Sequence, residues 1–259
     1  MLLRRITQHV RDQNWFAVFI DFLIVVFGLF IGLQVNNWNE NRKNIEIANS
    51  YIDRIETDLA TQIKYFEHTQ NYFKKTREHA IAALAAYQRP SEELDVQFLI
   101  DLYQASQTLS LTNRSGTYDE LLATGRIDLI ASTQIRTMLN HYYESGRARI
   151  HTFKVNTFVP YRKIARMHLD EAVQLEIRKH CDDVYTISDE NYYYLELPDK
   201  CDISIPEEIV KREIINTLAN DELRQELRYQ LTSLDSLINS IKNGIQTTET
   251  TLAKLKELE

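Results

Sequence analysis

Six glycines and four prolines in 259 residues leave this chain too little punctuation for a strand-rich fold, which needs frequent turns. Only two cysteines are present, Cys181 and Cys201, so a disulfide-dense scaffold is excluded, as is a four-thiolate zinc site. The usual catalytic signatures are also missing. There is no Gly-x-Ser-x-Gly elbow, no glycine-rich loop to cradle phosphate, and no His-Glu-x-x-His helix. Long apolar runs are absent as well, with a single exception.

That exception is residues 15–35, from Trp15 to Val35, interrupted by one acid, Asp21. At about 1.5 Å rise per residue the run reaches roughly 30 Å, the thickness of a hydrocarbon core, and a helix satisfies its backbone internally. The sequence therefore predicts one membrane-spanning helix. Arg4, Arg5 and Arg11 precede it, whereas Arg42 and Lys43 behind it are offset by Glu40 and Glu46. That bias orients the N-terminus to the cytoplasm and the bulk of the chain to the far side. A cleavable signal would have a shorter apolar core ending in a small-x-small site, and none follows Val35. Residues 1–14 place Leu2, Leu3, Ile6 and Val10 on one face and arginines elsewhere, as an interfacial amphipathic helix would.

The remainder, residues 36–259, reads as one extracytoplasmic domain. Three arginines against Asp12 and Asp21 give the first 35 residues a net +1, so residues 36–259 carry −8 of the total −7. An acidic bulk argues against nucleic acid as a partner. Ile45, Ala48, Ile52, Ile55, Leu59, Ile63, Phe66 and Phe73 recur at three- and four-residue steps, with no helix breaker before Pro90. The spanning helix is expected to run on into this stripe. A helix from Ser91 to about Leu109 is expected next, then a short one capped at Asn113 or Ser115 and ending at Gly125. Residues 132–177 read as helical, with an interruption at Pro160.

The clearest period is near the C-terminus, where Leu223, Leu227, Leu231, Leu234, Ile238, Ile241, Ile245, Leu252 and Leu255 form a coiled-coil-like seam broken by Thr248. Packing antiparallel on residues 45–88 is the favoured arrangement, and pairing with a second chain is the alternative. The fold class is therefore all-α, an N-terminal transmembrane helix continuing into an elongated helical bundle. The segment between Cys181 and Cys201, rich in tyrosine, reads as an irregular loop or short hairpin that a disulfide would close. Two separate thiols are the competing reading.

The exit from the apolar run, Leu33-Gln34-Val35-Asn36-Asn37-Trp38-Asn39-Glu40, resembles that of a family of bacterial single-pass membrane proteins of unknown function. Asp21 occupies a position where that family has an acid, usually Glu. Residues Tyr118 to Ile130, followed by Leu139-Asn140-His141-Tyr142-Tyr143, resemble its middle region. The resemblance implies an architecture and a bacterial inner-membrane location, without an activity.

Candidate functional residues follow. Asp21 is costly in lipid, so it either carries a proton, snorkels, or pairs with another helix. Gly28 and Gly32 form a small-xxx-small pair suited to helix association. Gln34, Asn36, Asn37, Trp38 and Asn39 sit at the membrane exit, where they anchor the helix or meet a neighbouring protein. Tyr118, Glu120, Arg126, His141, Tyr142 and Arg147 are a candidate polar pocket, with caps and inter-helix ion pairs as the competing role. His141 with Glu144 and His168 with Glu171 share helical faces but lack the extra glutamates of a carboxylate-bridged metal site. No catalytic residue, metal or cofactor is expected. The expected partners are membrane lipid and other envelope proteins, with a homo-oligomer open. An interaction or scaffold role is favoured over an accessory role in proton-driven transport through Asp21, and over an enzyme with a site between helices.

Overall fold

The computed structural model describes residues 15–157, 160–189 and 192–258. The amphipathic segment expected over residues 1–14 lies outside them. Among the described residues the fold is all-α, with eight α-helices and one two-stranded hairpin. The helices are α1 (Trp15–Ala86), α2 (Val96–Gln104), α3 (Gly116–Ala123), α4 (Thr133–Thr157), α5 (Pro160–His168), α6 (Glu171–Cys181), α7 (Glu207–Leu218) and α8 (Asp221–Leu258). The hairpin strands are β1 (Val184–Ile187) and β2 (Tyr193–Glu196). The chain divides into two compact units, one of residues up to 53 with 121–131, the other of residues 54–120 with 132–259.

In the first unit α1 carries the apolar run, which none of the other described residues buries and whose mean hydropathy of 2.5 suits a membrane span. A helix this apolar on every side is stable only where something other than water surrounds it. Past the run, Ala48, Tyr51 and Ile52 become buried, as do Leu121 and Ile130. Arg126 donates to the Tyr51 hydroxyl at 3.0 Å. Gly125 holds φ of +67°, the left-handed conformation that closes α3 and that side chains with a Cβ resist.

In the second unit α1 and α8 lie antiparallel. Lys256 Nζ is 3.8 Å from Glu56, a Cβ on Gly244 would lie 3.1 Å from the Phe66 ring, and Arg77 Nε pairs with Asp235 at 2.5 Å. The two periodic stripes therefore run alongside each other, Phe66 and Phe73 sharing one core with Leu234, Leu237 and Ile241, while α8 approaches α4 more closely still. Thr248, the break in the seam, is satisfied: its hydroxyl donates to Gly244 O at 2.8 Å and accepts from Tyr142 at 3.0 Å. Around this pair, α2, α5, α6 and α7 contribute Leu99, Leu102, Tyr161, Ala165, Val173, Ile177 and Ile214 to one core.

Three boundaries differ from expectation. Ser91–Glu93 is only a 3-10 turn, and α2 starts later because Asp95, not Ser91, caps it, accepting from Gln97 N at 2.9 Å. It ends at Gln104, well before Leu109. An interruption that was not expected separates α5 from α6, where Asp170 accepts from Ala172 N at 2.8 Å and starts a new helix.

Candidate functional site

Helix α6 ends at Cys181, which is buried in the core and bridged to half-buried Cys201, with the two Cα atoms 5.2 Å apart across 20 residues. Between them the hairpin pairs Tyr185 with Leu195 and Ile187 with Tyr193. Side chains alternate across a strand, so these four residues share one face. Tyr185 and Tyr193 remain 75% and 67% exposed, while Leu195 packs on the core. On the opposite face the Tyr194 ring stacks on His68 of α1 at 3.8 Å. Tyr192 is buried edge-on to Tyr65, and the Arg114 guanidinium sits 5.1 Å over its ring. Lys75 then ties down the returning chain through Leu197 O at 2.9 Å and Asp199 at 2.6 Å. The hairpin is thus held at both ends.

Between the hairpin, α1 and the segment after α2 lies a groove of about 280 Å3, close to the lower end of the roughly 300–1,000 Å3 of ligand pockets. Tyr65 and Thr69 form one wall, Leu109 and Ser110 the floor, and Tyr185, Tyr193, Tyr194 and Leu195 the other wall. Every one of these residues is neutral. Tyr65 is committed to Ser110 O at 3.1 Å and Thr69 to Tyr65 O at 2.9 Å. Ser110, Tyr185, Tyr193 and Tyr194 add further hydroxyl-bearing side chains to the lining, and a hydroxyl both donates and accepts.

Behind the hairpin is a polar network. Arg162 donates to Ser106 O at 2.7 Å, and Arg166 donates to Ser106 Oγ at 2.9 Å with its guanidinium against the Tyr103 ring. Burial pushes the Arg166 pKa down to about 10. Burial also keeps the Tyr72 phenol protonated, donating to Asp183 at 3.0 Å, and raises Asp183 itself above the ordinary aspartate range. With that raised value the folded chain holds more protons than the unfolded chain across the window between the two, so stability falls as pH rises through it. Asp183→Asn keeps an acceptor for Tyr72 and removes the titration. The variant should show a higher urea midpoint at about pH 7 and a smaller difference from its midpoint at about pH 4.

Of the six residues of the expected polar pocket, five fall in the second unit and Arg126 in the first. Glu120 pairs with Arg54 at 2.6 Å, and Arg147 bridges Asp119 at 2.7 Å and Glu144 at 2.5 Å. Tyr118 is buried, its ring stacked on Tyr143 at 4.3 Å, and Tyr142 is buried against Thr248. His141 is exposed, and Arg126 belongs to the other unit. Asp21 is half-buried on α1, whereas Gln34, Asn36 and Asn37 are exposed and Asn39 is half-buried. Trp38 is 66% exposed, with the Arg42 guanidinium 5.7 Å over its ring. A Cβ on Gly28 or Gly32 would meet nothing within 4 Å. His168 bonds Thr217 at 3.1 Å and Asn220 at 3.1 Å, and among the described residues no group of three His, Cys, Asp or Glu is arranged to hold a metal.

The groove itself was not foreseen, because its walls are contributed by residues more than a hundred positions apart. The one local signal was the tyrosine run Tyr192-Tyr193-Tyr194 between the cysteines. No family model, curated protein or solved structure matches this chain.

Proposed function

We propose that this protein is a single-pass anchor of a bacterial inner membrane whose extracytoplasmic helical domain recognises another envelope component through the hairpin groove, without catalysing a reaction. The observation that carries the reading is the pair of exposed tyrosines, Tyr185 and Tyr193, on a hairpin held by the Cys181–Cys201 disulfide and by Lys75. Exposed rings on a preorganised support give large contact area at small entropic cost, as interaction surfaces require. Persistent disulfides belong to oxidising compartments, which agrees with the N-inside orientation given by the flanking charges.

The apolar run supports the anchor, since none of the other described residues covers it. Trp38 suits the headgroup level at the exit, and the same exit sequence supports kinship with the single-pass family it resembles.

A phosphatase reporter that folds only outside the cytoplasm, fused after Glu259, tests the orientation. It should be active, and in cells without reductant neither cysteine should react with a maleimide until the chain is reduced. An inactive reporter together with freely reactive thiols would overturn the proposal.

A further inference from the structure

We infer that the hairpin groove binds a neutral glycan, an inference that rests on the interaction role proposed above and names the chemistry of its ligand. Three features of the lining select this class. First, every side chain around the groove is neutral, so an ionised ligand would find no counter-charge there. Two cations that contact the hairpin and its return are already engaged, Lys75 by Asp199 and Leu197 O, and Arg114 by the Tyr192 ring.

Second, six of the eight lining residues carry hydroxyls, namely Tyr65, Thr69, Ser110, Tyr185, Tyr193 and Tyr194. A hydroxyl both donates and accepts, and a ligand made of hydroxyls matches such a lining wherever it lands. An extended peptide, by contrast, presents alternating fixed donors and acceptors that a strand edge satisfies better than side-chain hydroxyls do. Third, Tyr185 and Tyr193 lie on one hairpin face in diagonal register, Tyr185 opposite Leu195 and Tyr193 opposite Ile187. Diagonal neighbours stand about 7–8 Å apart, which offers two flat rings in series to a chain of sugar units whose C–H faces are apolar. Leu109 and Leu195 complete the lining and give the apolar edge of such a ring something to pack on.

The test uses the full chain in phospholipid nanodiscs, because glycoside detergents would compete for the groove. Saturation-transfer NMR is recorded with two neutral probes, cellotetraose and tetra-N-acetylchitotetraose, with tetragalacturonic acid as an anionic probe of similar size, and with an extended tetrapeptide. At least one neutral oligosaccharide should bind saturably, and more tightly than the anionic one. Tyr185→Ala and Tyr193→Ala should each weaken that binding about tenfold, the loss of one stacked ring, with helix content and disulfide intact. Tyr193→Phe, which keeps the ring, should retain most of it. No saturable response to either neutral probe, equal binding of the anionic probe, binding unchanged in both alanine variants, or a response to the tetrapeptide alone would overturn the inference. Each of these results leaves the orientation reporter unaffected, so failure here is separable from failure of the anchored interaction role.

Discussion

Replacing Cys181 by Ser should lower the stability of the second unit by about 3 kcal/mol, the largest loss expected from any single exchange in this region. The bridge closes a loop of 20 residues, and in the chain-entropy description that constraint is removed from the unfolded chain when the bond is lost. At about 2–4 °C per kcal/mol for a domain of this size, the melting temperature should fall by about 6–12 °C. Cys181 is 1% exposed, so the serine also buries a hydroxyl, whereas Cys201 is half-buried. Cys201→Ser and reduction of the native chain should therefore each cost somewhat less than Cys181→Ser. Calorimetry of the three species checks the order. A reduced chain that melts with the oxidised one would show that the bridge constrains nothing. Local effects should precede global ones: hydrogen exchange in β1 and β2 should quicken on reduction while α8 stays protected.

The second large effect concerns the apolar run. Val25→Arg combined with Leu29→Arg places two guanidinium groups near the middle of a segment that none of the other described residues covers. Insertion scales assign about 2.5–3.5 kcal/mol to each, so the pair should cost about 5–7 kcal/mol if the segment lies in lipid. The variant should leave the membrane pellet on carbonate extraction or be degraded, while the native chain stays in the pellet. Val25→Leu with Leu29→Ile should behave as the native chain. Continued resistance of the double arginine variant to extraction would mean that this run does not sit in a bilayer.

Much of the fold was legible because it is periodic. The stripes on α1 and α8 repeat over many turns, and a helix cannot expose a face of Leu, Ile and Phe, so their antiparallel contact follows from two faces in need of cover. The interruption expected near Pro160 falls on residues 158–159, which lie outside the described residues. Capping was harder to read. Ser91 follows Pro90 and precedes two glutamates, a persuasive helix start, yet Leu94 is extended and the helix waits for Asp95. Helix α7 went unread although Pro206 followed by Glu207 and Glu208 is an N-terminal signal, because its apolar face is short.

The site was far less legible. A polar pocket was expected among Tyr118, Glu120, Arg126, His141, Tyr142 and Arg147, but charged side chains near one another in space settle into the nearest opposite charge, as Arg147 does with Asp119 and Glu144. The groove needed Tyr65, Ser110 and Tyr193 to meet, and no local pattern encodes a meeting between segments so far apart in the chain.

The antiparallel layout of α1 and α8 sets how the second unit answers mechanical load. Glu56 and Lys256 lie side by side, so tension applied between these two points pulls on adjacent ends of a helix pair. Such a geometry opens one rung at a time, first at Glu56, then at Phe66 with Gly244, then at Arg77 with Asp235. It yields at low force and re-closes in the reverse order, in contrast to a parallel pair, whose rungs would all have to shear at once.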